Sequence, residues 1–281
     1  MNKKALLAAL DELGMRPGRG LGQNFLLDGN LLDAIARINA PGPGEEILEV
    51  GPGFGALTRR LLDAGALVTA IEFDHRLAEY LRRHLACDAL RLIEADACKV
   101  DYADLFPHGG FRAIANLPYS ISSVFIAKML ELEAPPEAMF FMLQREMGER
   151  LAALPGGKAY GALTVRTRFV YEVRIERIVP PEVFYPPPEV DSALVEFRRH
   201  RNFALDREQR AKLRGIVNTA FAQRRKQLGK VLGGVYGRET VAAAFAAAGL
   251  SPEIRPDKLG CAEFLRLAEG IFPAIFEKKP L

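Results

Sequence analysis

From about residue 45, short apolar runs alternate with segments whose apolar residues recur every three or four positions. The runs predict buried strands, and the longer spacing predicts amphipathic helices. The predicted strands span 45–50, 67–72, 89–94, 112–116 and 138–143, and the predicted helices span 56–64, 74–86 and 121–132. Strands separated by helices of this length form parallel β-α-β units with right-handed crossovers. The pattern therefore predicts an α/β fold built on a parallel sheet.

The regions flanking this alternation predict additional helices and a hairpin. A short amphipathic helix opens the chain, and Asp28 is placed to cap a second helix over 29–39. Strands at about 171–179 and 192–198 are expected to complete the sheet, and the chain beyond residue 200 has helical periodicity. We therefore predict two domains, a sheet domain over 1–200 and a smaller all-helical domain over 201–281.

A glycine-rich turn separates the first strand of the alternation from its helix. In ILEVGPGFGALTRRL the glycines are Gly51, Gly53 and Gly55, and the helical pattern begins immediately afterwards. Such a turn exposes backbone N–H groups at a helix N-terminus and lets a ligand approach the main chain. Glu72 closes the second strand, where an acid can accept hydrogen bonds from ribose hydroxyls. The pattern predicts a nucleoside-cofactor site, and it leaves an NAD enzyme open.

Two later strands bring polar chemistry to the same edge of the sheet. Asp96 follows the third strand, and Asn116-Leu117-Pro118-Tyr119 follows the fourth. The adenine amine is a poor nucleophile because its lone pair is delocalised, so acceptors that hold its hydrogens assist its alkylation. The Asn116 side chain and the Leu117 carbonyl are suited to this role, and Pro118 restricts the Leu117 backbone. Tyr119 offers a flat face for an unstacked base.

Several motifs in order resemble the KsgA family of S-adenosylmethionine-dependent enzymes. They are GQNFLLD, EVGPGFGALT, the E-x-D of residues 72–74, ADA, NLPY, FMLQREMGERL, GKAYGALTV, FYPPPEVDSALV and AFAQRRKQL, and they cover nearly the whole chain. The family dimethylates two adjacent adenosines in a hairpin near the 3′ end of small-subunit ribosomal RNA. Single motifs also resemble the erythromycin-resistance methylases that act on large-subunit RNA, but the full series is more similar to KsgA.

The resemblance implies a Rossmann-like methyltransferase domain, S-adenosyl-L-methionine as cofactor, and roles for particular residues. Glu72 would hold the ribose hydroxyls, Asp96 the adenine amine of the cofactor, and Asn116 would lie where cofactor and target base meet. The implied cofactor-binding residues are Asn24, Leu26, Gly51, Glu72, Asp96 and Asn116, and the implied catalytic segment is Asn116, Leu117, Pro118 and Tyr119.

Positive charge is concentrated in the C-terminal part of the chain. The whole chain of 281 residues has a net charge of only +3, whereas residues 198–230 hold eleven Lys or Arg against two acidic residues. Clustered cations attract phosphate, so we expect RNA binding there, with Arg224, Arg225 and Lys226 as contacts. Phe184, on a stiff Pro-rich loop, is a candidate second stacking face for the base, with packing in the core as the alternative.

The remaining composition predicts a cytoplasmic protein without a metal. The three cysteines are scattered without a C-x-x-C pair, so neither disulfides nor zinc are supported. The N-terminal apolar run is too short and too acidic for a signal peptide, and no stretch approaches the length of a membrane span. The resemblance to KsgA implies that the protein acts on the small ribosomal subunit and its 16S rRNA, and we expect a monomer.

The favoured function is therefore dimethylation of ribosomal RNA adenines, with a role in subunit biogenesis. A ribosome-assembly factor that only binds would need the basic helices but not Asn24, Glu72, Asp96 or Asn116. An NAD-dependent dehydrogenase would use the glycine turn and Glu72 but would leave the NLPY segment and the basic helices without a role. A DNA adenine methylase also fits NLPY, and the C-terminal resemblance argues against it.

Overall fold

A computed structural model describes residues 3–16 and 23–277. Its strands are β1 (Phe25–Leu26), β2 (Glu46–Val50), β3 (Leu67–Glu72), β4 (Leu90–Glu94), β5 (Arg112–Asn116), β6 (Ala138–Gln144), β7 (Tyr171–Val179), β8 (Phe184–Tyr185) and β9 (Ser192–Arg199). Its helices are α1 (Lys3–Glu12), α2 (Gly29–Asn39), α3 (Ala56–Asp63), α4 (His75–His84), α5 (Tyr102–Leu105), α6 (Ser122–Met129), α7 (Arg145–Ala152), α8 (Ala162–Val170), α9 (Arg207–Ala222), α10 (Leu228–Tyr236), α11 (Arg238–Ala248), α12 (Cys261–Ile271) and α13 (Pro273–Phe276). None of the helices in these ranges is long and apolar enough to span a membrane.

Seven strands form one mostly parallel sheet, which confirms the predicted α/β class. The strand order is β4-β3-β2-β5-β6-β9-β7. The first five of these strands are parallel, and β9 runs antiparallel to β6. The chain order reverses between β2 and β5, because the strand after β2 lies on one side of it and β5 lies on the other. In open α/β sheets such a reversal opens a crevice at the carboxyl ends of the two strands, where ligands bind.

Apolar side chains on both faces fix the central strands in the interior. Ile47 and Leu48 of β2 are fully buried, and Leu57 and Leu61 bury one face of α3. Burial on both sides explains why the parallel strands appear as continuous apolar runs in the sequence. At the start of α2 the Asp28 carboxylate accepts a hydrogen bond of 2.7 Å from the Leu31 N–H, as the capping prediction required.

The chain divides into two compact units. Unit 1 comprises Met1–Met129, Ala134–Gly148 and Arg174–Arg198, and it contains the cavity described below. Unit 2 comprises Leu130–Glu133, Glu149–Val173 and Arg199–Leu281 and is mostly helical. Residues 149–173, which we expected within the first domain, therefore cluster with the C-terminal helices. The separate functions expected for 1–200 and 201–281 stay a prediction.

Unit 2 uses several of its cations to stabilise its own fold. The buried Arg210 guanidinium donates hydrogen bonds to the carbonyls of Leu130, Leu132 and Glu133, at 2.6, 2.7 and 3.0 Å. The Glu131 carboxylate pairs with both Arg166 and Arg214. Fewer cations of the 198–230 region are therefore available to a partner than its net charge indicates, because some of its arginines make hydrogen bonds or ion pairs within the unit.

A small two-stranded sheet joins two segments for which no strand was predicted. β1 pairs antiparallel with β8, so that Phe25 lies opposite Tyr185 and Leu26 lies opposite Phe184. Leu26 and Phe184 are both buried and belong to the hydrophobic core of unit 1. This pairing anchors the segment that begins with Asn24, next to the carboxyl ends of the large sheet.

Candidate active site

A cavity of about 240 Å³ lies beyond the carboxyl ends of β2, β3 and β5, at the reversal of strand order. Its walls are largely apolar, with a few polar side chains, which is the usual composition of a small-molecule site. Nine residues predicted from the sequence line it: Asn24, Leu26, Gly51, Glu72, Asp96, Asn116, Leu117, Pro118 and Tyr119. They come from the ends of four strands and from the β1 segment. The fold thus brings together residues that are up to nearly 100 positions apart in the sequence.

The glycine turn packs closely against two other cavity walls. Gly51 and Gly53 both have positive φ, +67° and +58°, which glycine adopts without strain. A Cβ on Gly51 would lie 3.1 Å from Cγ of Pro118, and a Cβ on Gly53 would lie 3.1 Å from the Phe25 ring. The turn therefore touches both the NLPY segment and the β1 segment, and a side chain at either glycine would push them apart.

Glu72 is buried and held by backbone donors. Its Oε2 accepts a hydrogen bond of 3.1 Å from the Gly53 N–H, and its Oε1 accepts one of 2.9 Å from the Asp74 N–H. Burial raises the pKa of Glu72, and these N–H groups partly oppose the increase. The carboxylate is thus fixed beside the glycine turn with lone pairs that remain available to a ligand in the cavity.

Glu49 is a cavity residue that the sequence analysis missed. It lies near the end of β2, is 2% exposed, and its Oε2 has no hydrogen-bond partner among the described residues. Burial raises the pKa of Glu49 to about 8, the nearby Thr58 hydroxyl partly opposes this, and the charge of Glu72 adds to it. A charged residue within the otherwise apolar run ILEV (residues 47–50) was the signal that could have identified it.

The loop after β4, which carries Asp96, is held in place by hydrogen bonds to its backbone. Asp96 Oδ1 accepts a hydrogen bond of 2.9 Å from the Cys98 N–H, which tightens the turn. The buried Tyr102 hydroxyl donates to the Ala97 carbonyl at 2.8 Å, and Lys128 Nζ donates to the Cys98 carbonyl at 3.0 Å. These two side chains, from α5 and α6, hold the backbone of the loop in place and thereby fix the position of the Asp96 carboxylate.

Asn116 is oriented by one hydrogen bond across the cavity. Its Nδ2 donates to the Asn24 carbonyl at 2.8 Å. This bond identifies Nδ2 as the anchored atom of the amide, so Oδ1 is the atom available to accept a hydrogen from a ligand. It also links the β1 segment to the end of β5.

Tyr119 is held by hydrogen bonds to both its side-chain hydroxyl and its backbone carbonyl. Its hydroxyl shares a hydrogen bond of 2.6 Å with Ser192 Oγ, and its carbonyl accepts one of 2.8 Å from Ser122 Oγ. Burial raises the pKa of Tyr119, so the phenol stays neutral at physiological pH. The half-buried ring lines the cavity with a fixed orientation, which suits a stacking surface.

Phe184 does not lie among the cavity residues. Its side chain is 3% exposed and packs in the core of unit 1 beside Leu26. A ring enclosed in this way has no free face for a base, so the structure supports the packing alternative and corrects the suggestion of a second stacking face.

The predicted RNA contacts of the C-terminal region lie in the turn between α9 and α10. Arg225 and Lys226 are exposed there. Arg224 is half-buried and donates to the carbonyls of Lys158 and Gly157 at 2.9 and 3.0 Å. Among the residues with described coordinates, no group of three or more His, Cys, Asp or Glu is placed to hold a metal ion.

Comparison with known proteins identifies the family. A family model described as "Ribosomal RNA adenine dimethylase" matches residues 17–271. The chain belongs to this family. It is 41% identical to a protein of Anaeromyxobacter sp. (strain K) named "Ribosomal RNA small subunit methyltransferase A", over 92% of this chain and 95% of the relative. A protein of the same name from Leifsonia xyli is also 41% identical, over 91% and 93% of the two chains.

Two solved structures resemble this family member over most of its length. The first is the crystal structure of the 23S rRNA methyltransferase ErmE, whose sequence is 29% identical to this chain. The two structures superpose with a TM-score of 0.68 over 88% of this chain and 99% of the ErmE chain. A dimethyladenosine transferase from Plasmodium falciparum has a TM-score of 0.70 at 24% identity, with coverage of 86% and 95%. The similarity to the Plasmodium falciparum structure shows that the two proteins share a fold.

Proposed function

We propose that this protein transfers methyl groups from S-adenosyl-L-methionine to the exocyclic amines of two adjacent adenosines in the 3′-terminal hairpin of 16S rRNA. One observation carries the proposal. The Asn116 amide, which is anchored by its hydrogen bond to the Asn24 carbonyl, and the Tyr119 ring line the same cavity as the glycine turn. Family membership supplies the reaction class, and the relatives named for the small subunit favour that RNA over large-subunit RNA.

The cavity residues fit S-adenosylmethionine. The Glu72 carboxylate, held by two N–H groups, has acceptor capacity for ribose hydroxyls, and Asp96 lies beyond the adjacent strand to accept from the adenine amine. Gly51 lines the cavity and would contact the ligand through its backbone, while Asn24 and Leu26 would close the cavity from the β1 segment. When bound, the cofactor supplies an electrophilic methyl group on a sulfonium.

The chain's own residues would bind and orient the target adenine. Asn116 Oδ1 and the Leu117 carbonyl would accept the two amine hydrogens, which raises electron density on the nitrogen as it forms its bond to carbon. Pro118 packs against Gly51 and fixes the backbone that carries the Leu117 carbonyl. The Tyr119 ring would stack on the base. As the new bond to carbon forms, the amine held by these acceptors would release one proton to solvent.

Most of the catalytic effect in this scheme comes from proximity and orientation. After one transfer the product amine retains one hydrogen, so the same acceptors support a second transfer. The protein would act as a monomer in the cytoplasm, on the small ribosomal subunit, and contribute to subunit biogenesis.

The test is transfer of labelled methyl from S-adenosylmethionine to under-methylated small ribosomal subunits. Naked rRNA of both subunits and duplex DNA are the parallel substrates. Dimethyladenosine formed with the small subunit alone is the expected result. Label in large-subunit RNA or in DNA would keep the chemistry and contradict the assigned substrate, whereas tight subunit binding without label would favour a binding-only assembly factor.

Replacing Tyr102 by Phe is expected to weaken binding of S-adenosylmethionine several-fold, because the Ala97 carbonyl loses the donor that positions the Asp96 loop. Loss of one buried hydrogen bond also lowers the free energy of unfolding by about 1 kcal/mol. Tyr160→Phe is the matched control, since its hydroxyl donates to the Leu259 carbonyl at 2.9 Å within unit 2.

Calorimetric titration with S-adenosylmethionine and denaturant unfolding measure both quantities for the two variants. A similar loss of stability in both variants, with weaker cofactor binding only in Tyr102→Phe, is the expected result. Equal cofactor affinity in the two variants would contradict the positioning role of Tyr102.

A further inference from the structure

We propose that Leu6 of α1 is a cofactor-binding residue that packs against the nucleoside part of S-adenosyl-L-methionine, an inference that rests on the proposed function. Leu6 lines the same cavity as the site residues described above, and its side chain is 1% exposed. The part of the chain that the family model matches begins at residue 17, so α1 precedes it and the match gives this helix no role. The sequence analysis predicted the helix but no function for it.

α1 depends on its packing against the rest of unit 1. It has ten residues, and isolated helices of fewer than about 12 to 15 residues are marginal in water. Its buried residues, Leu6, Ala9 and Leu10, recur at the spacing of one helical face. This face lies in a small hydrophobic cluster with Phe54 and Leu77. A ligand that contacts the cluster from the cavity would therefore also stabilise the helix.

The neighbours of Leu6 in this cluster belong to the Glu72 side of the cavity. Phe54 follows the glycine whose N–H donates to Oε2 of Glu72 at 3.1 Å. Leu77 lies in the first turn of α4, directly after Asp74, whose N–H donates to Oε1 of Glu72 at 2.9 Å. Phe54 and Leu77 also line the cavity. Because the proposed function assigns the ribose hydroxyls to Glu72, the apolar wall beside it is expected to face the nucleoside.

Aromatic contacts fix α1 relative to the other walls of the cavity. The Phe54 ring packs edge-on against the rings of Phe25 and Tyr80, with centroids 5.1 and 5.0 Å apart. Lys3 Nζ lies 5.5 Å from the ring centroid of Tyr185, which pairs with Phe25 in the small sheet. α1 thus packs on the glycine turn, α4 and β1, which all contribute cavity residues. The wall that Leu6 provides is therefore formed before a ligand arrives, which lowers the entropic cost of binding.

The first experiment measures binding of S-adenosylmethionine by calorimetric titration. Leu6→Ala is expected to weaken binding about tenfold, the usual order of effect when an apolar group is removed from a binding pocket. Leu10→Ala is the matched control. Leu10 is 3% exposed and lies in the same cluster, but it is not among the described residues that line the cavity.

Both substitutions leave a gap in the same cluster, so they should lower the temperature of unfolding by similar amounts. Leu10→Ala should nevertheless bind S-adenosylmethionine with nearly the wild-type affinity. Equal losses of cofactor affinity in the two variants would overturn the contact between Leu6 and the cofactor, because they would show that any loosening of α1 has the same effect.

The second experiment locates the contact with 5′-methylthioadenosine, which keeps the nucleoside and lacks the amino-acid part of the cofactor. Leu6→Ala should weaken binding of this probe by the same factor as binding of S-adenosylmethionine. A loss confined to S-adenosylmethionine would overturn the nucleoside contact. Leu6→Met keeps the apolar volume and should bind both ligands nearly as the wild type does. A loss as large as that of Leu6→Ala would overturn the packing role.

Hydrogen exchange tests the contact without any substitution. With S-adenosylmethionine at about ten times its Kd, exchange through opening of α1 should slow about tenfold, since opening then requires release of the cofactor. The amides of α12, in unit 2, are the internal reference and should exchange as before. Unchanged exchange of α1 in protein that has bound the cofactor would overturn the proposal.

The same samples distinguish this inference from the proposed function. Leu6→Ala is expected to raise KM for S-adenosylmethionine about tenfold and to keep kcat near the wild-type value, because the contact is made equally before and during transfer. Wild-type protein that does not bind S-adenosylmethionine would overturn the proposed function and this inference with it. Wild-type protein that binds it and transfers methyl groups, with Leu6→Ala indistinguishable from Leu10→Ala, would overturn the inference alone.

Discussion

Replacing Asn116 by Ala is expected to reduce methyl transfer about 1,000-fold while RNA and S-adenosylmethionine still bind within a few-fold of the wild-type affinities. The variant loses the side-chain acceptor of an amine hydrogen, and losses of about 100- to 1,000-fold are typical when one preorganised polar group is removed from a reacting centre. It also loses the hydrogen bond of 2.8 Å from Nδ2 to the Asn24 carbonyl, so the amine and the methyl group are less well aligned.

Single-turnover transfer and equilibrium binding separate these effects. Asn39→Ala is the matched control, because Asn39 Nδ2 likewise donates to a backbone carbonyl, that of Ile35, at 2.8 Å, outside the cavity. The control should retain the wild-type transfer rate. Equal loss of transfer and of RNA binding in Asn116→Ala would contradict the catalytic role and indicate a role in binding.

The sheet and the position of the cavity could be predicted because they depend on local patterns. Strands buried on both faces are mostly apolar, so polar residues tend to mark their ends, as at Glu72 and Asn116. Parallel strands then bring those ends to one edge of the sheet. The glycine turn could also be predicted, since the positive φ of Gly51 and Gly53 favours a residue without a side chain.

Features that depend on distant partners could not be predicted. The pairing of β1 with β8 joins two dipeptides about 160 residues apart, and nothing in their own composition specifies it. The burial of Phe184 follows from that pairing. Likewise, the sequence shows that Arg210 and Arg224 are basic, but not that both donate to backbone carbonyls of other segments. Charge counts along the chain cannot distinguish such arginines from those open to a partner.

Glu49→Gln is expected to remove a large pH dependence of stability. The pKa of Glu49 is about 8 in the folded protein and near the ordinary value of 4.5 in the unfolded chain. Between these values the folded state holds a proton that the unfolded state has released, so a rise in pH favours unfolding by about 1.4 kcal/mol per unit. Below pH 4.5 both states are protonated, and above pH 8 the full penalty of about 5 kcal/mol applies.

Denaturant unfolding of wild type and variant at pH 5, 6, 7 and 8 measures this difference. The free energy of unfolding of Glu49→Gln should exceed that of the wild type by an amount that grows with each step. Glu46→Gln is the matched control, because Glu46 begins the same strand but is exposed, so this variant removes a carboxyl group without removing a buried one.

A constant difference for Glu49→Gln would show that the carboxyl group is ionised in the folded protein at neutral pH. It would then have to be paired with a cation or donor that the described residues do not provide, since its Oε2 has no partner among them. A growing difference means instead that Glu49 is a neutral acid in the folded protein at neutral pH. In that case the cavity contains a carboxylic acid that can donate a hydrogen bond, on the strand next to the one that carries Glu72.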